Sequence, residues 1–223
     1  MGSAAIRIKD LVFTYDDAAF RLQIKALDVS FEEHVALTGR SGCGKTTLAG
    51  LISGTLPCRN GSIEVLGHKM ETLNDNARRN FRIQHIGFVF QEFELLEYLN
   101  GEQNILLPYH INPGLTLDRA TRDRMDTLAG QTGIRHLLKR YPTQMSQGER
   151  QRVAISRALI THPQLLIADE PTGNLDEENA SSIMRLMHDT AREHKTTLLT
   201  ITHDAHQLAG FDRVINISKP EIS

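Results

Sequence analysis

The chain has 223 residues, and its 25 basic and 27 acidic residues nearly cancel to a formal charge of -2 at pH 7. This balance excludes the basic surface typical of nucleic-acid-binding proteins, so no nucleic-acid partner is expected. The length suits one sizeable core, and no apolar run approaches the roughly 20 residues of a membrane helix. We therefore expect a cytoplasmic protein whose two cysteines, Cys43 and Cys58, are reduced and bind no metal.

Residues 6–31 predict short strands that form an antiparallel sheet. Apolar and polar side chains alternate over Arg7–Lys9 and almost strictly over Leu22–Val29. An apolar strand over Val35–Thr38 follows, and a glycine-rich segment then leads into a predicted helix over Lys45–Ser53.

The glycine-rich segment matches the phosphate-loop pattern, in which two spaced glycines precede a lysine and a threonine. Glycines let successive backbone N–H groups point at phosphate oxygens, and the following helix presents its positive end to the same charge. Lys45 is expected to contact the β- and γ-phosphates, and the Thr46 hydroxyl to bind Mg²⁺. The predicted nucleotide-binding residues of this loop are Gly39, Arg40, Ser41, Gly42, Cys43, Gly44, Lys45, Thr46 and Thr47.

The middle of the chain differs in composition from its ends. A turn at Asn60-Gly61, a strand over 62–66 and a buried strand over 86–90 are predicted first. From Gln91 onward, charged helical segments such as 118–128 predict a helical insertion. Chain breaks are expected within it at Pro108, Pro113 and Gly114.

From residue 147 an alternation of helices and strands resumes, which is typical of a parallel sheet with crossover helices. The predicted order is a helix to Ile160, a strand over 165–168, a helix over 177–194, a strand over 197–202 and a strand over 214–217.

Two acidic residues, Asp169 and Glu170, end the apolar strand 165–168. At the mouth of a parallel sheet, Asp169 would lie near the metal, and Glu170 could orient or deprotonate water. An apolar strand followed by acids is also common as a simple transition from strand to loop. The neighbouring motifs therefore decide between the two interpretations.

A second helix N-terminus is predicted upstream of these acids. Ser146 and Glu149 have the spacing of a capping box, which on its own indicates an ordinary capped helix. With Gly148 between them, the same start is suited to contact a γ-phosphate. In this order the motifs resemble those of the ATP-binding subunits of ABC transporters, from about Ile6 to Ile217.

The signature of that family usually reads Leu-Ser-Gly-Gly followed by Gln or Glu. Ser146, Gly148 and Glu149 match it here, whereas Met145 and Gln147 replace the leucine and the first glycine. The resemblance implies that residues 146–149 contact ATP, and the side chain of Gln147 is expected to affect how tightly the signature closes on it.

The resemblance also assigns roles to four isolated residues. It implies that Tyr15 stacks on adenine and that Gln91 senses Mg²⁺ and the attacking water. Asp176 would contact a partner subunit, and His203 would contact the γ-phosphate. Each has a plainer interpretation. Tyr15 could be a core aromatic and Gln91 a loop-capping amide. Asp176 could be a helix cap, and His203 is one histidine among ten.

The fold implied is α/β: a P-loop NTPase core with a parallel sheet, an N-terminal antiparallel β subdomain and an inserted helical subdomain. Residues 1–223 form one domain, in which 1–90 and 147–223 are the core and about 91–146 the insertion, with the signature at its end.

The function implied is ATP hydrolysis by a dimer that encloses two ATP molecules, with Mg²⁺ as cofactor and Glu170 as general base. The partners would be a second copy and an integral-membrane permease on the inner face of the cell membrane, with an extracytoplasmic partner reached through the permease.

Three stretches, 86–91, 102–108 and 171–176, resemble the group that serves lipoprotein release, macrolide and peptide efflux, and cell-division signalling. Such proteins typically pair with permeases that have few spans and a large extracytoplasmic domain. Three alternatives stay open: a soluble ABC-type ATPase without a permease, a nucleotide-binding module that does not hydrolyse, and a phosphotransferase.

Overall fold

A computed structural model describes residues 4–15 and 20–217. The strands are β1 (Ala4–Thr14), β2 (Arg21–Ser30), β3 (His34–Thr38), β4 (Asn60–Val65), β5 (His68–Lys69), β6 (Ile86–Val89), β7 (Leu165–Asp169), β8 (Thr197–Ile201) and β9 (Arg213–Asn216). The α-helices are α1 (Lys45–Ile52), α2 (Asp75–His85), α3 (Gly101–Ile111), α4 (Arg119–Gln131), α5 (Gln147–Leu159) and α6 (Glu177–Glu193). Short 3₁₀ segments span Met70–Thr72, Arg135–Leu137, Pro142–Gln144 and Ala205–Leu208.

The strands form two sheets. The first is antiparallel in the order β2-β1-β4-β5, and in it Ile8 pairs with Leu27 and with Ile63. The second is parallel in the order β6-β7-β8-β3-β9. The α/β class, the N-terminal antiparallel sheet and the parallel core with crossover helices are therefore confirmed.

The parallel sheet separates two apolar cores, because successive side chains of a strand point to opposite faces. On β7, Leu165 and Ile167 pack with α1 and the antiparallel sheet, whereas Leu166 and Ala168 pack with α3, α4, α5 and α6. The helix after the phosphate loop and the helix after the signature thus lie on opposite faces of one sheet.

Two details of the sequence prediction were wrong, and one helix was missed. Pro108 does not break the chain but lies in the last turn of α3, where the buried residues Ile105 and Leu106 anchor the helix before it. Helix α2 was not predicted, because Phe81 is its one buried residue and the others give no apolar periodicity.

The predicted turn at Asn60-Gly61 is instead the start of β4. Gly61 has φ of +87°, and a Cβ there would lie 2.4 Å from the carbonyl oxygen of Asp10. This close approach occurs where the pairing of β1 with β4 changes register between Lys9 and Val12. A glycine is needed at residue 61 because the backbones approach too closely for a side chain.

Candidate functional site

The phosphate loop connects β3 to α1 at the carboxyl edge of the parallel sheet, where ligands of open α/β sheets bind. Gly42 and Gly44 have φ of +77° and +103°, and a Cβ on Gly44 would lie 2.9 Å from the Phe20 ring. Lys45 is 7% exposed, and its ammonium donates to the Gly39 carbonyl at 2.9 Å. It also donates to the Arg40 carbonyl at 3.2 Å. The loop is thus wrapped around the lysine, with its glycines in conformations that other residues rarely adopt.

A cavity of about 310 Å³ lies against this loop. Its lining residues are Tyr15, Phe20, Ser41, Gly42, Gly44, Lys45, Thr46, Thr47 and Glu170. Most of the predicted loop residues therefore share one cavity with the carboxylate of Glu170, the residue that follows β7.

Not every predicted loop residue lines this cavity. The Cys43 side chain packs against the apolar core on the α1 side, and the Cys43 N–H donates to the Arg40 carbonyl at 3.2 Å. Gly39 contributes through the carbonyl that accepts from Lys45. Cys43 and Gly39 therefore contribute to the loop through their backbone atoms.

Tyr15 lies at the wall of the cavity. Its hydroxyl is 3.1 Å from the Thr47 hydroxyl, and its ring packs edge-on against Phe13 with centroids 4.9 Å apart. Tyr15 is 44% exposed. Phe20, which also lines the cavity, was not predicted, and no motif marks it.

Asp169 ends β7 beside the Thr46 side chain. Burial raises the pKa of Asp169, whereas the Thr46 side chain and the Lys45 charge act in the opposite direction. A hydroxyl and a carboxylate oxygen are ligands that suit Mg²⁺, which is usually held by one or two protein oxygens together with phosphates. Among residues 4–15 and 20–217 no group of three or more His, Cys, Asp or Glu side chains could hold a metal ion. The Thr46 hydroxyl and the Asp169 carboxylate are the oxygen donors that fit a nucleotide-bound Mg²⁺.

Glu170 and His203 meet at the ends of β7 and β8. The Glu170 Oε1 atom lies 3.2 Å from His203 Nδ1, and the Glu170 N–H donates to the Ile201 carbonyl at 2.9 Å. Glu170 has φ of +46°, a left-handed conformation that is strained for a residue with a Cβ. The Glu170 side chain is 24% exposed and that of His203 66%. The chain therefore places an accessible carboxylate–imidazole pair beside the phosphate-loop cavity.

Gln91 and Asp176 lie outside the cavity lining. The Gln91 carbonyl accepts from the Asn174 side chain at 3.2 Å, and its amide nitrogen would be 3.1 Å from a Cβ on Gly173. Asp176 caps α6 by accepting from the Asn179 N–H at 2.9 Å. These hydrogen bonds lower the pKa of Asp176. Both residues flank the turn that follows Glu170.

The signature residues form the N-terminus of α5. The Ser146 hydroxyl accepts from the Glu149 N–H at 3.2 Å, and the Ser146 N–H donates to the Glu149 carboxylate at 2.8 Å, so the capping box is present. His136, which was not predicted, lies 3.4 Å from that carboxylate. Gln147 is exposed, and a Cβ on Gly148 would make only ordinary contact with Asn179.

The phosphate loop and the signature do not meet within one chain. Helix α5 leads into β7, so its N-terminus faces the same sheet edge as the phosphate loop, but α1 and α5 pack on opposite faces. None of the residues 146–149 lines the phosphate-loop cavity. One chain thus carries two separate helix N-termini that could each contact phosphate.

These features define an α/β protein of the phosphate-loop class that binds a nucleoside triphosphate. The family described as "ABC transporter" matches residues 22–173, and the chain belongs to that family. The lipoprotein-releasing system ATP-binding protein LolD of Psychrobacter arcticus is 36% identical over 214 residues, which cover 95% of this chain and 94% of that protein. The resemblance in sequence is thereby confirmed.

Two further similarities support the same assignment. The uncharacterized ABC transporter ATP-binding protein YbbA of Escherichia coli K12 is 38% identical over 185 residues, 83% of this chain and 80% of that protein. The dimeric ATP-binding cassette MJ0796 bound to ADP and Pi superposes with a TM-score of 0.82 at 28% identity, covering 96% of this chain and 94% of that chain. The protein is an ATP-binding subunit of an ABC transporter. No helix of the described residues is long and apolar enough to cross a membrane.

Proposed function

We propose that this chain hydrolyses ATP as a dimer that encloses two ATP molecules and drives a conformational change in a membrane permease. The observation that carries the proposal is the contact between Glu170 and His203, at 3.2 Å, beside the cavity that holds Lys45 and Thr46. ATP hydrolysis needs a group that orients and deprotonates water next to the γ-phosphate, together with cations that stabilise the transferred charge.

Each group has a defined task in this proposal. Glu170 accepts the proton of the attacking water, and His203 holds the carboxylate and contacts the γ-phosphate. Lys45 leaves the loop carbonyls to bind the β- and γ-phosphates. Thr46 and Asp169 would hold Mg²⁺, which neutralises charge on the phosphates when bound. Gln91 would report the state of this site to the insertion.

Dimerisation follows from the separation of the two helix N-termini. A second copy, turned head to tail, would bring its Ser146, Gly148 and Glu149 against the ATP on the phosphate loop of the first copy. The γ-phosphate then contacts both subunits, so its loss removes the contacts that favour the closed dimer. The dimeric relative bound to ADP and Pi supports this arrangement.

An apolar groove between the core and the insertion is the proposed contact with the permease. This groove of about 270 Å³ is lined by Phe88 and Phe90 from the core and by Leu107 and Ile111 from α3. Phe90 and Ile111 are 41% and 60% exposed and line the same groove, and contiguous exposed apolar side chains are typical of interaction sites. Gln91 follows Phe90 directly, so the groove adjoins the predicted sensor of the nucleotide site.

The permease is proposed to have few spans and a large extracytoplasmic domain, as expected for the lipoprotein-release group. Support comes from the LolD relative, which is similar over nearly the whole of both chains. The location is then the inner face of the cell membrane, with contact to extracytoplasmic partners through the permease.

Replacing Glu170 with glutamine tests the hydrolytic proposal. In Glu170→Gln, ATP hydrolysis should fall at least about 100-fold, because general-base catalysis contributes on that order. ATP binding should persist, and light scattering should show a dimer with ATP and a monomer without it. Glu193→Gln is the control. Glu193 is the last residue of α6, at the end of the helix away from Glu170, and this variant should behave as wild type. Hydrolysis by Glu170→Gln at the wild-type rate would contradict the proposal.

The same variant tests the partner. Tagged Glu170→Gln would be trapped with ATP in native membranes, and the co-purifying proteins identified by mass spectrometry. A permease with few spans and a large external domain supports the subgroup, and a permease with many spans indicates ordinary import or export. Recovery of soluble partners alone would favour an ABC-type ATPase without a permease.

A further inference from the structure

We propose that Gln207 is a positioning residue for ATP hydrolysis, which holds the loop of His203 against the turn that follows Glu170. Gln207 lies in the 3₁₀ segment Ala205–Leu208, four residues after His203. No motif in the sequence marks it. The inference rests on the hydrolytic function proposed above.

A chain of hydrogen bonds joins the two loops through Gln207. The Thr172 hydroxyl donates to Gln207 Oε1 at 2.7 Å, and Gln207 Nε2 donates to Asp204 Oδ2 at 2.9 Å. The Asp204 N–H then donates to the Thr202 hydroxyl at 3.1 Å. Thr172 and Thr202 are 5% and 3% exposed, so both ends of this chain are anchored in the interior.

The groups held by this chain are the two that the hydrolytic step needs. Glu170 and His203 leave adjacent strands in separate loops, and their side chains meet at 3.2 Å. The His203 side chain is 66% exposed, so packing does little to fix its position. Thr172 follows Glu170 by two residues, and Asp204 follows His203 directly. Gln207 therefore connects the turn that follows Glu170 to the loop that follows His203.

A glutamine suits this role because it offers an acceptor and a donor at once. The Asp204 carboxylate only accepts hydrogen bonds, so the Gln207 NH₂ group must face it and the Gln207 oxygen must face Thr172. Methionine at residue 207 would keep the length but remove both hydrogen bonds. Valine at residue 172 would remove the hydroxyl and keep the shape, whereas serine would keep the donor.

The test is steady-state ATP hydrolysis by the full chain. Gln207→Met and Thr172→Val should each lower kcat about tenfold, since a displacement of about 1 Å in reacting groups can cost up to about 100-fold. KM for ATP should stay within about twofold, because the phosphate loop is untouched. The double variant should lose no more than Gln207→Met alone, since Gln207→Met already breaks the Thr172–Gln207 hydrogen bond. Thr172→Ser should restore kcat.

Three results would overturn the inference. The first is wild-type kcat in both Gln207→Met and Thr172→Val. The second is a kcat in Thr172→Ser as low as that of Thr172→Val. The third is a loss of kcat in Gln207→Met and Thr172→Val that is accompanied by comparable losses of ATP affinity and thermal stability. Glu170→Gln is measured alongside. If its kcat equals that of wild type, the proposed hydrolytic function itself fails. If its kcat falls while Gln207→Met retains activity, only the role of Gln207 is rejected.

Discussion

The two faces of the parallel sheet hold their functional residues in different ways. On the α1 side, the phosphate loop takes its shape from the backbone: left-handed glycines and loop carbonyls that surround Lys45. On the α5 side, side chains hold the insertion in place. Asn104 and Arg157 donate to the carbonyl groups of loop residues, namely Leu96, Leu99 and Asn100 for the first and Phe93 and Glu94 for the second.

This difference indicates which substitutions each side tolerates. A backbone-defined loop changes function when the Lys45 charge that it surrounds is lost, and the fold around it survives. A segment held by buried side-chain hydrogen bonds loses stability first. Partial burial lowers the pKa of Arg157 to about 10, so the insertion relies on a half-buried charge as well.

Loss of the Lys45 charge should give the largest effect. Lys45→Met should weaken ATP binding at least about 100-fold, or about 3 kcal/mol, because charge-assisted contacts to phosphate are lost. The stability of the apo chain should change little. Equilibrium binding of a fluorescent ATP analogue is the measurement. Lys139→Met, which removes an exposed ion pair with Glu102 in the insertion, is the control and should leave affinity within about twofold. Equal losses of ATP affinity in Lys45→Met and Lys139→Met would contradict the contrast between the two faces.

Loss of the Asn104 amide should give the next effect, on stability instead of binding. Asn104 is fully buried and also accepts from the Leu96 N–H at 2.9 Å. Asn104→Ala leaves buried polar groups unpaired and should lower the free energy of unfolding by about 2–3 kcal/mol. Urea denaturation measures this, with hydrogen exchange expected to rise in residues 95–111. ATP affinity should be retained.

Thr127→Ala, an exposed change on α4, serves as its comparison and should alter stability by less than about 0.5 kcal/mol. A loss of ATP affinity in Asn104→Ala that matches the loss of stability would show that the two faces are not separable.

A buried pair of histidines, His34 and His188, should give a smaller, pH-dependent effect on the free energy of unfolding. The Nδ1 atoms of His34 and His188 lie 2.8 Å apart, so the pair can hold one shared hydrogen but not two charges. Burial lowers the pKa of His34 from 6.5 to about 4, with Arg192 and His188 acting in the same direction and Asp212 opposing them. The pKa of His188 is also lowered, mainly by burial.

Because the folded pKa of His34 is depressed, its stabilising contribution is present above pH 6.5 and is lost as pH falls toward 4. Between pH 7 and pH 5 the loss should be about 2 kcal/mol. Urea denaturation at both pH values measures it, and His34→Leu should reduce the dependence. His110→Leu, on the exposed face of α3, should keep it. An unchanged pH dependence in His34→Leu would assign the effect to other groups.

Prediction from sequence succeeded where the local pattern carries its own physical reason. The phosphate loop, the acids that end β7 and the capping box at Ser146 are each short motifs, and the structure places their residues at the expected ends of strands and helices. It failed for α2, which has one buried residue, and for Pro108, which lies in a helix whose cap and buried residues are strong.

The contacts of His136, Phe20 and Gln207 could not be predicted from the sequence. Each depends on a residue distant in the chain: Glu149 for His136, the glycines of the phosphate loop for Phe20, and Thr172 for Gln207. No local period or spacing encodes such pairs, because they arise only when segments separated in the chain pack together.

The sequence by itself determined the family, the α/β class and the position of the phosphate-loop motif, because these depend on backbone freedom at glycines and on charges at fixed spacing. Only the tertiary structure decided that the phosphate loop and the signature lie on opposite faces of one sheet. It also decided that Glu170 and His203, 33 positions apart in the numbering, meet at 3.2 Å. The physical reason is that the order of strands in a sheet, which no local pattern specifies, sets which strand ends become neighbours.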